Sequence, residues 1–299
     1  MAAPVLHTLN EAAVELDRLL TDLNVYSRAD TSLRAIAVKV ASCAQQAPDI
    51  ALACVLLAQV GGRYAIRHCV DTAVLASLAG GAIGCGDDEA TTITAAALTM
   101  NVGMLREIDG LHARATLLDD AERARIRRHP VDGAELLRCA GVDDKDWIAC
   151  VLQHHEAPDG SGYPHGLAAP DIAAGALIVG MADRYCAAIG ARNYRRSLLA
   201  PDALRRLAAD NAGHPGLVAA FTGLLGEYPP GTLVRLDDGA VGVVRHRAAG
   251  GVSVHLLRDG AGQHLDQVRE HAAIAAALHE DDARLRFSMQ SVWGQQAAL

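Results

Sequence analysis

Residues 153–167 read Gln153-His154-His155-Glu156-Ala157-Pro158-Asp159-Gly160-Ser161-Gly162-Tyr163-Pro164-His165-Gly166-Leu167. The first part closes a helix. Trp147, Val151 and His155 are spaced i, i+4, i+8, and Trp147, Cys150 and His154 are spaced i, i+3, i+7. Both imidazoles therefore fall on the inward half of one helix. Behind them, Pro158, Gly160, Gly162 and Pro164 punctuate a tight, rigid loop. Neighbouring inward histidines are costly unless each ring nitrogen finds a proton partner or a metal ion. The pair alone fits either satisfied structural histidines or ligands.

The chain around this segment is helical for most of its length. Leu16, Leu19, Leu20 and Leu23 form one apolar stripe opposite Glu15, Asp17, Arg18 and Asp22. The same period predicts helices over 31–46, 48–60, 64–80, 88–105, 120–128, 131–140, 144–156, 170–189, 201–211 and 214–226. Asp30-Thr31, Asp87-Asp88 and Asp143-Asp144 read as N-caps, and Pro130, Pro170 and Pro201 as first-turn residues. After Pro229-Pro230-Gly231 the period changes. Thr232–Leu236, Ala240–His246 and Val252–Leu257 read as strands, with Asp237-Asp238-Gly239 as a hairpin turn. The reading is an all-α domain with extra N-terminal helices and a small C-terminal antiparallel β appendage. Its boundaries are a helical segment over 1–50, the main domain over 51–228, the appendage over 229–270, and a short helix with a frayed tail over 271–299. The N-terminal stripe either docks on the core or makes a homodimer interface.

Composition bounds the function. Of 299 residues, 51% are hydrophobic and only 3% aromatic, so the core is aliphatic and the chain is not disordered. The net charge of −8 argues against a general DNA binder. The longest apolar runs fall well short of the roughly 20 residues that span a bilayer, and no signal peptide is visible. Seven cysteines without a CxxC pair read as reduced core thiols of a cytoplasmic protein. Lys39 and Lys145 are the only lysines.

The string HHExxDGxGYP resembles the HD-GYP family, helical metal-dependent phosphodiesterases that hydrolyse the bacterial second messenger cyclic di-GMP. Other elements follow that family's order. His68 in Arg67-His68-Cys69-Val70-Asp71 resembles its first helix ligand. His129-Pro130 with Gly133 and Leu136-Leu137 resembles its HPxxGxxLL element, Ala182-Asp183 its late Ala-Asp element, and Arg192-Asn193-Tyr194-Arg195 its R-x-Y-R tail. The resemblance implies a metal site on His68, His129, His154, His155 and Asp183. It implies a recognition loop over Glu156, Asp159, Gly160, Gly162, Tyr163 and Pro164, and phosphate or nucleotide contacts at Arg192 and Arg195. Glu156 is expected to orient a histidine.

Four positions depart from the pattern. The family's His-Asp pair and following Lys correspond to Met100, Asn101 and Met104, and the second Asp of its Ala-Asp-x-x-Asp run corresponds to Cys186. Family members bridge two or three iron- or manganese-type ions with the Asp of that pair. An amide offers one neutral oxygen and an NH2 donor in place of two anionic oxygens, and a thioether suits soft Cu(I). The expected protein is a catalytically impaired regulatory or binding module of cyclic di-GMP signalling. It would act through the GYP loop on a GGDEF-type diguanylate cyclase or another signalling protein, or on cyclic di-GMP itself, and hold no cofactor. The alternative is a residual phosphodiesterase with one divalent ion (Zn, Fe, Mn or Ni).

Restoring Met100→His together with Asn101→Asp is expected to raise the transition-metal content of the purified protein. Elemental analysis checks this, and an unchanged content counts against the register. Turnover is expected only after Met104→Lys is added.

Overall fold

Every residue from Ala65 to Gly80 except Arg67 is buried. A helix that is buried on all sides is wrapped by others, and this one forms the axis of the helical region. The computed structural model describes residues 3–113, 118–190, 196–248 and 250–299. Its helices are α1 (Val5–Thr21), α2 (Ala29–Gln46), α3 (Pro48–Leu56), α4 (Tyr64–Ala82), α5 (Asp87–Thr99), α6 (Ile108–Ala113), α7 (Asp120–Cys139), α8 (Lys145–Gln153), α9 (Ala174–Ile189), α10 (Ala200–Asp210) and α11 (Pro215–Leu225). The axial helix is α4, and α1, α2, α3, α5, α6, α9 and α11 all pack on it. The N-terminal stripe docks within the chain: Leu9, Leu16 and Leu20 join the same core as Leu75 and Val179. Trp147 is wholly buried, and its Nε1 donates to Thr99 Oγ1 at 2.8 Å, which ties α8 to α5.

The helix read as breaking at Pro130 runs through it as the single helix α7. Proline lacks the N–H that would bond the carbonyl four residues back. That carbonyl, Ile126 O, instead accepts a 2.6 Å hydrogen bond from His129 Nδ1. At its start α7 has a capping box, with Asp119 and Glu122 satisfying each other's backbone N–H groups. Asp144 caps α8 as read. Asp30 and Asp87 lie inside their helices, and Pro170 precedes α9.

The C-terminal region is a five-stranded antiparallel sheet in the order β4-β3-β2-β1-β5. Its strands are β1 (Leu233–Leu236), β2 (Val241–Ala248), β3 (Gly251–Arg258), β4 (His264–Arg269) and β5 (Ile274–Leu278). The sheet therefore extends beyond residue 270, because Ala276, Ala277 and Leu278 pair with β1. Ile274–Leu278 carries neither period-2 alternation nor a β-branched run, so its strand character comes from the free edge of β1. The expected frayed tail is ordered too. Helices α12 (Glu280–Ala283) and α13 (Met289–Trp293) cover one sheet face with Ala283 and Val292, and Trp293 Nε1 donates to Arg245 O at 2.9 Å. The sheet abuts α3 at Gly231, whose φ is +95° and where a Cβ would come 2.8 Å from Ala53 Cα.

Two other glycines set the spacing around the histidines. A Cβ at Gly103 would lie 2.2 Å from His129 O, and one at Gly180 would lie 2.2 Å from His154 O. Both contacts are to backbone, which cannot rotate away. Gly103→Ala and Gly180→Ala are each expected to destabilise the fold by roughly 1–3 kcal/mol. Gly216→Ala, where nothing lies within 4 Å, is expected to be near neutral. Urea unfolding of the three variants checks the contrast.

Candidate metal centre

Helices α7, α8 and α9 each deliver part of the site. His129 stands in the middle of α7, His154 caps the end of α8, His155 follows it, and Asp183 lies on α9. His129 and His154 are fully buried, and His155 is largely so. His129 Nδ1 donates to Ile126 O at 2.6 Å and His154 Nδ1 to Val151 O at 2.7 Å. A carbonyl oxygen only accepts, so each ring carries its proton on Nδ1. The two Nε2 atoms then face each other with lone pairs, 3.2 Å apart. Neutral rings cannot bond one another in that arrangement. His155 completes the group, and ligand atoms of all three rings lie within 4.8 Å of one another.

The electrostatics keep these rings neutral. Burial, and then the neighbouring His154, push His129 down to about 3. Burial lowers His154 as well, and burial followed by the field of His154 holds His155 well below the usual imidazole range. A proton is thus a poor occupant of the gap at neutral pH. Three neutral imidazoles fit a borderline divalent cation, and a 3.2 Å separation is one that two nitrogens bound to a common ion at about 2.0–2.1 Å readily take. The donor set therefore fits one ion on His129, His154 and His155.

The remaining predicted ligands form an adjoining pair. His68 Nε2 donates to Asp183 Oδ1 at 2.7 Å, and Asp183 Oδ2 lies 4.0 Å from His155 Nδ1. Burial alone would raise the Asp183 carboxyl. The hydrogen bond from His68 and the fields of His68, His155 and His154 outweigh it and hold the carboxyl well below the ordinary range. Tyr64 stacks on His68 with centroids 5.5 Å apart.

The loop folds back over this cluster. Tyr163 N donates to His155 O at 3.1 Å, and the Tyr163 ring stacks on His155 at 4.6 Å and 26°. Gly162 permits the approach, since a Cβ there would lie 2.3 Å from Ala157 N. Asp159 Oδ1 accepts from Ser161 N and Ser161 Oγ, and Gly160 takes φ +78°. Pro164, next to Tyr163, is half-buried and His165 exposed. Among the described residues Glu156 makes no hydrogen bond to the three clustered histidines, and its Oε1 lies 4.0 Å from His165 Nδ1. Its buried carboxylate accepts from the backbone N–H groups of His165 and Leu167, at 2.8 and 2.9 Å, and so pins the far side of the loop.

Of the departing positions, Met100 and Asn101 are buried, Met104 packs against the core, and Cys186 is a buried thiol that burial pushes well above its ordinary range. Burial also pushes the Cys69 and Cys150 thiols up to about 12, which makes them packing groups rather than thiolate ligands. Arg192 and Arg195 lie outside the described residues. Three residues were not assigned from sequence. The exposed Arg127 lies over the Tyr163 ring at 5.0 Å. Arg184 donates to Asn211 Oδ1 at 2.8 Å. Asp71 is a buried carboxyl on α4. Its spacing from His68 placed Asp71 on the same helix face; Arg127 had no sequence signal.

The helical domain has known relatives. The family model described as "HD domain" matches residues 56–214. The chain is 40% identical over 152 residues to a cyclic di-GMP phosphodiesterase of Pseudomonas aeruginosa, covering 50% of this chain and 36% of that protein. It is 33% identical over 138 residues to the cyclic di-GMP phosphodiesterase response regulator RpfG of Xanthomonas campestris, covering 45% of this chain and 36% of that one. A solved HDG"Y"P protein from Bdellovibrio bacteriovorus shares the fold with a TM-score of 0.58 at 18% identity, over 73% of this chain and 69% of that one. The chain belongs to the HD-domain family. It matches only about a third of the length of those two curated relatives. Among the described residues no helix is long and apolar enough to cross a membrane.

The depressed imidazoles make stability depend on pH with a defined sign. A histidine whose folded value is lowered stays neutral in the folded state while the unfolded chain takes up protons. Stability of the metal-free protein is therefore full above about 6.5, the ordinary imidazole value, and falls as pH drops from there towards the folded value. For His129 the loss runs down to about 3, with a slope approaching ~1.4 kcal/mol per pH unit. Asp183, also lowered, adds its own loss only below about 4, the ordinary carboxyl value. Urea unfolding between pH 8 and 4 is expected to show the decline, and His129→Gln to flatten it.

Proposed function

We propose that this chain is a cyclic di-GMP-directed HD-GYP domain that holds one divalent ion on His129, His154 and His155 and cleaves the dinucleotide slowly. The observation that carries the reading is the pair of Nδ1-anchored rings whose Nε2 lone pairs meet at 3.2 Å. Rings merely satisfying one another would place a proton between them; these place none. The relatives named as cyclic di-GMP phosphodiesterases supply the substrate class. A bound divalent ion would supply a polarised phosphoryl oxygen and a water of lowered pKa.

The chain's own groups would do the rest. The Tyr163 ring lies against His155, so it limits water at the cluster and offers an aromatic edge to a ligand. Arg127 puts a guanidinium over that ring, a suitable partner for a phosphate, and so a cation is available where Met104 supplies none. The His68–Asp183 bond holds the carboxylate beside the imidazoles, and Glu156 fixes the loop that carries Tyr163.

A second reading rests on Met100 and Asn101. With a buried thioether and amide there, the bridging carboxylate of a two-ion centre has no counterpart at that position, and the domain would act by binding. It would take cyclic di-GMP, or a GGDEF-type cyclase through the Tyr163 loop, without turnover.

Protein purified without chelator is expected to carry about one equivalent of transition metal. His129→Ala or His154→Ala is expected to remove most of it, along with slow conversion of cyclic di-GMP followed by chromatography. Stoichiometric metal without turnover, but with cyclic di-GMP binding, favours the second reading. Metal below about a tenth of an equivalent, with no turnover after reconstitution, overturns the first.

A further inference from the structure

Arg184 stands one residue after Asp183 on α9, and its Nη2 donates to Asn211 Oδ1 at 2.8 Å. The residue is half-buried, and its Nε is sealed from solvent with no hydrogen-bond partner among the described residues. Asp183 and Asp210 are the carboxylates whose fields reach it. Both are engaged elsewhere, Asp183 by His68 and Asp210 by Arg206, and among the described residues Arg184 forms no ion pair. Taking a charge out of water without a paired opposite charge costs stability. The end of α8 beside it offers only partial negative charge on its last carbonyls. An apolar side chain would cost less here, so packing does not account for a guanidinium at this position.

The head group lies against the metal centre. The point where a Cβ on Gly180 would sit is 2.2 Å from His154 O and 3.3 Å from Arg184 Nη1, so the guanidinium rests beside the backbone that carries His154 and His155. Burial is the main influence on those two rings and on Tyr163, and the charge of Arg184 reaches all three. An arginine stays protonated in proteins. The charge is therefore fixed in place, and it is screened less than that of the exposed Arg127.

Such a charge acts with opposite signs on the two species that would enter the cluster. It repels a divalent cation and attracts a phosphate oxygen. The three imidazoles are neutral and cancel neither effect, and the one carboxylate among them, Asp183, is already bonded to His68. Over several ångströms at low dielectric, each effect amounts to about tenfold in binding or more.

We propose that Arg184 is a positioning residue whose fixed charge weakens the hold of the His129–His154–His155 site on a divalent cation and strengthens its hold on a phosphate group. The proposal rests on the one-ion reading above, and it assigns the preference for an anionic ligand to a residue that is not itself a ligand of the ion.

The test uses the full chain. Zinc affinity is measured by competition with a chromophoric chelator, and binding of inorganic phosphate to the zinc-loaded and metal-free protein by titration calorimetry. Arg184→Gln and Arg184→Met are each expected to bind zinc about 10-fold more tightly and phosphate about 10-fold more weakly. Arg184→Lys, which keeps a cation, is expected to stay within about 3-fold of the unaltered protein on both. Thermal unfolding confirms that each variant is folded. A merely structural role would move both affinities in one direction and would make Lys behave like Gln. Either of those results overturns the proposal, as do unchanged affinities in the folded Gln and Met variants or zinc uptake without any phosphate binding.

The two readings fail separately. Zinc bound at about one equivalent with no dependence on Arg184 removes this inference and leaves the one-ion reading standing. No zinc uptake by the unaltered protein, with phosphate bound in an Arg184-dependent way, overturns the one-ion reading and supports Arg184 as the group that attracts the anion. No binding of zinc or phosphate overturns both.

Discussion

Two hydrogen bonds from imidazole Nδ1 to a carbonyl three residues earlier organise the site. In α7 the acceptor is Ile126 O, left without its helical N–H by Pro130; in α8 it is Val151 O, near the end of its helix. Both carbonyls are orphans of helix geometry, one from a missing donor and one from a helix end. The same contact settles the tautomer and the direction of each ring. It therefore decides that Nε2 points inward, and that the gap between α7 and α8 is lined by lone pairs. A helix without Pro130 would bring a ladder N–H to Ile126 O, and the His129 ring would share that oxygen with it.

Close backbone approach keeps those rings in register. Gly103 lies against His129 O and Gly180 against His154 O, so the carbonyls of the two histidines are each braced by a residue without a side chain. Gly162 does the same for the loop against Glu156 and Ala157. The Glu156 carboxylate, hydrogen-bonded to two loop N–H groups, closes the far side. The site is thus set by backbone contacts, which have no rotamers to relax. This explains how a chain with 3% aromatic residues builds a fixed pocket from an Ala-rich core.

The helices that carry the ligands were legible because their signals are local: the i, i+4, i+8 spacing behind His155, the N-cap at Asp144, the glycine and proline run after Pro158. The misreadings have physical causes. Pro130 signals a break in isolation, but the His129 ring replaces the bond it forfeits, and α7 continues. β5 is Ile-Ala-Ala-Ala-Leu, which has no strand preference of its own and forms because β1 leaves an edge to pair. The tail over 289–297 offers few apolar residues, yet Met289, Val292 and Ala297 find buried positions on surfaces far away in sequence. Glu156 sits in the motif beside two histidines, so its sequence neighbours suggested one of them as a partner; the loop's return path, which no local pattern encodes, brings it two amides and the ring of His165. Asp71 lies in the Arg67–Asp71 stretch and drew no role, because a buried carboxyl whose Oδ1 lacks a partner is visible only once everything around it is placed.

Charge explains why this pocket suits a single ion. The buried cluster holds neutral His129, His154 and His155 and one carboxylate, Asp183, already engaged by His68. The guanidinium of Arg184 acts on the same rings with the opposite sign to Asp183. Burying unbalanced charge costs several kcal/mol per ion even after relaxation. One divalent cation can be offset in part by Asp183 and by an anionic phosphate ligand. A second would bring two more positive charges, while the buried Asn101 and Cys186 side chains add no anion. The imidazoles are aimed by backbone contacts, and the single carboxylate limits how much cationic charge the pocket could offset.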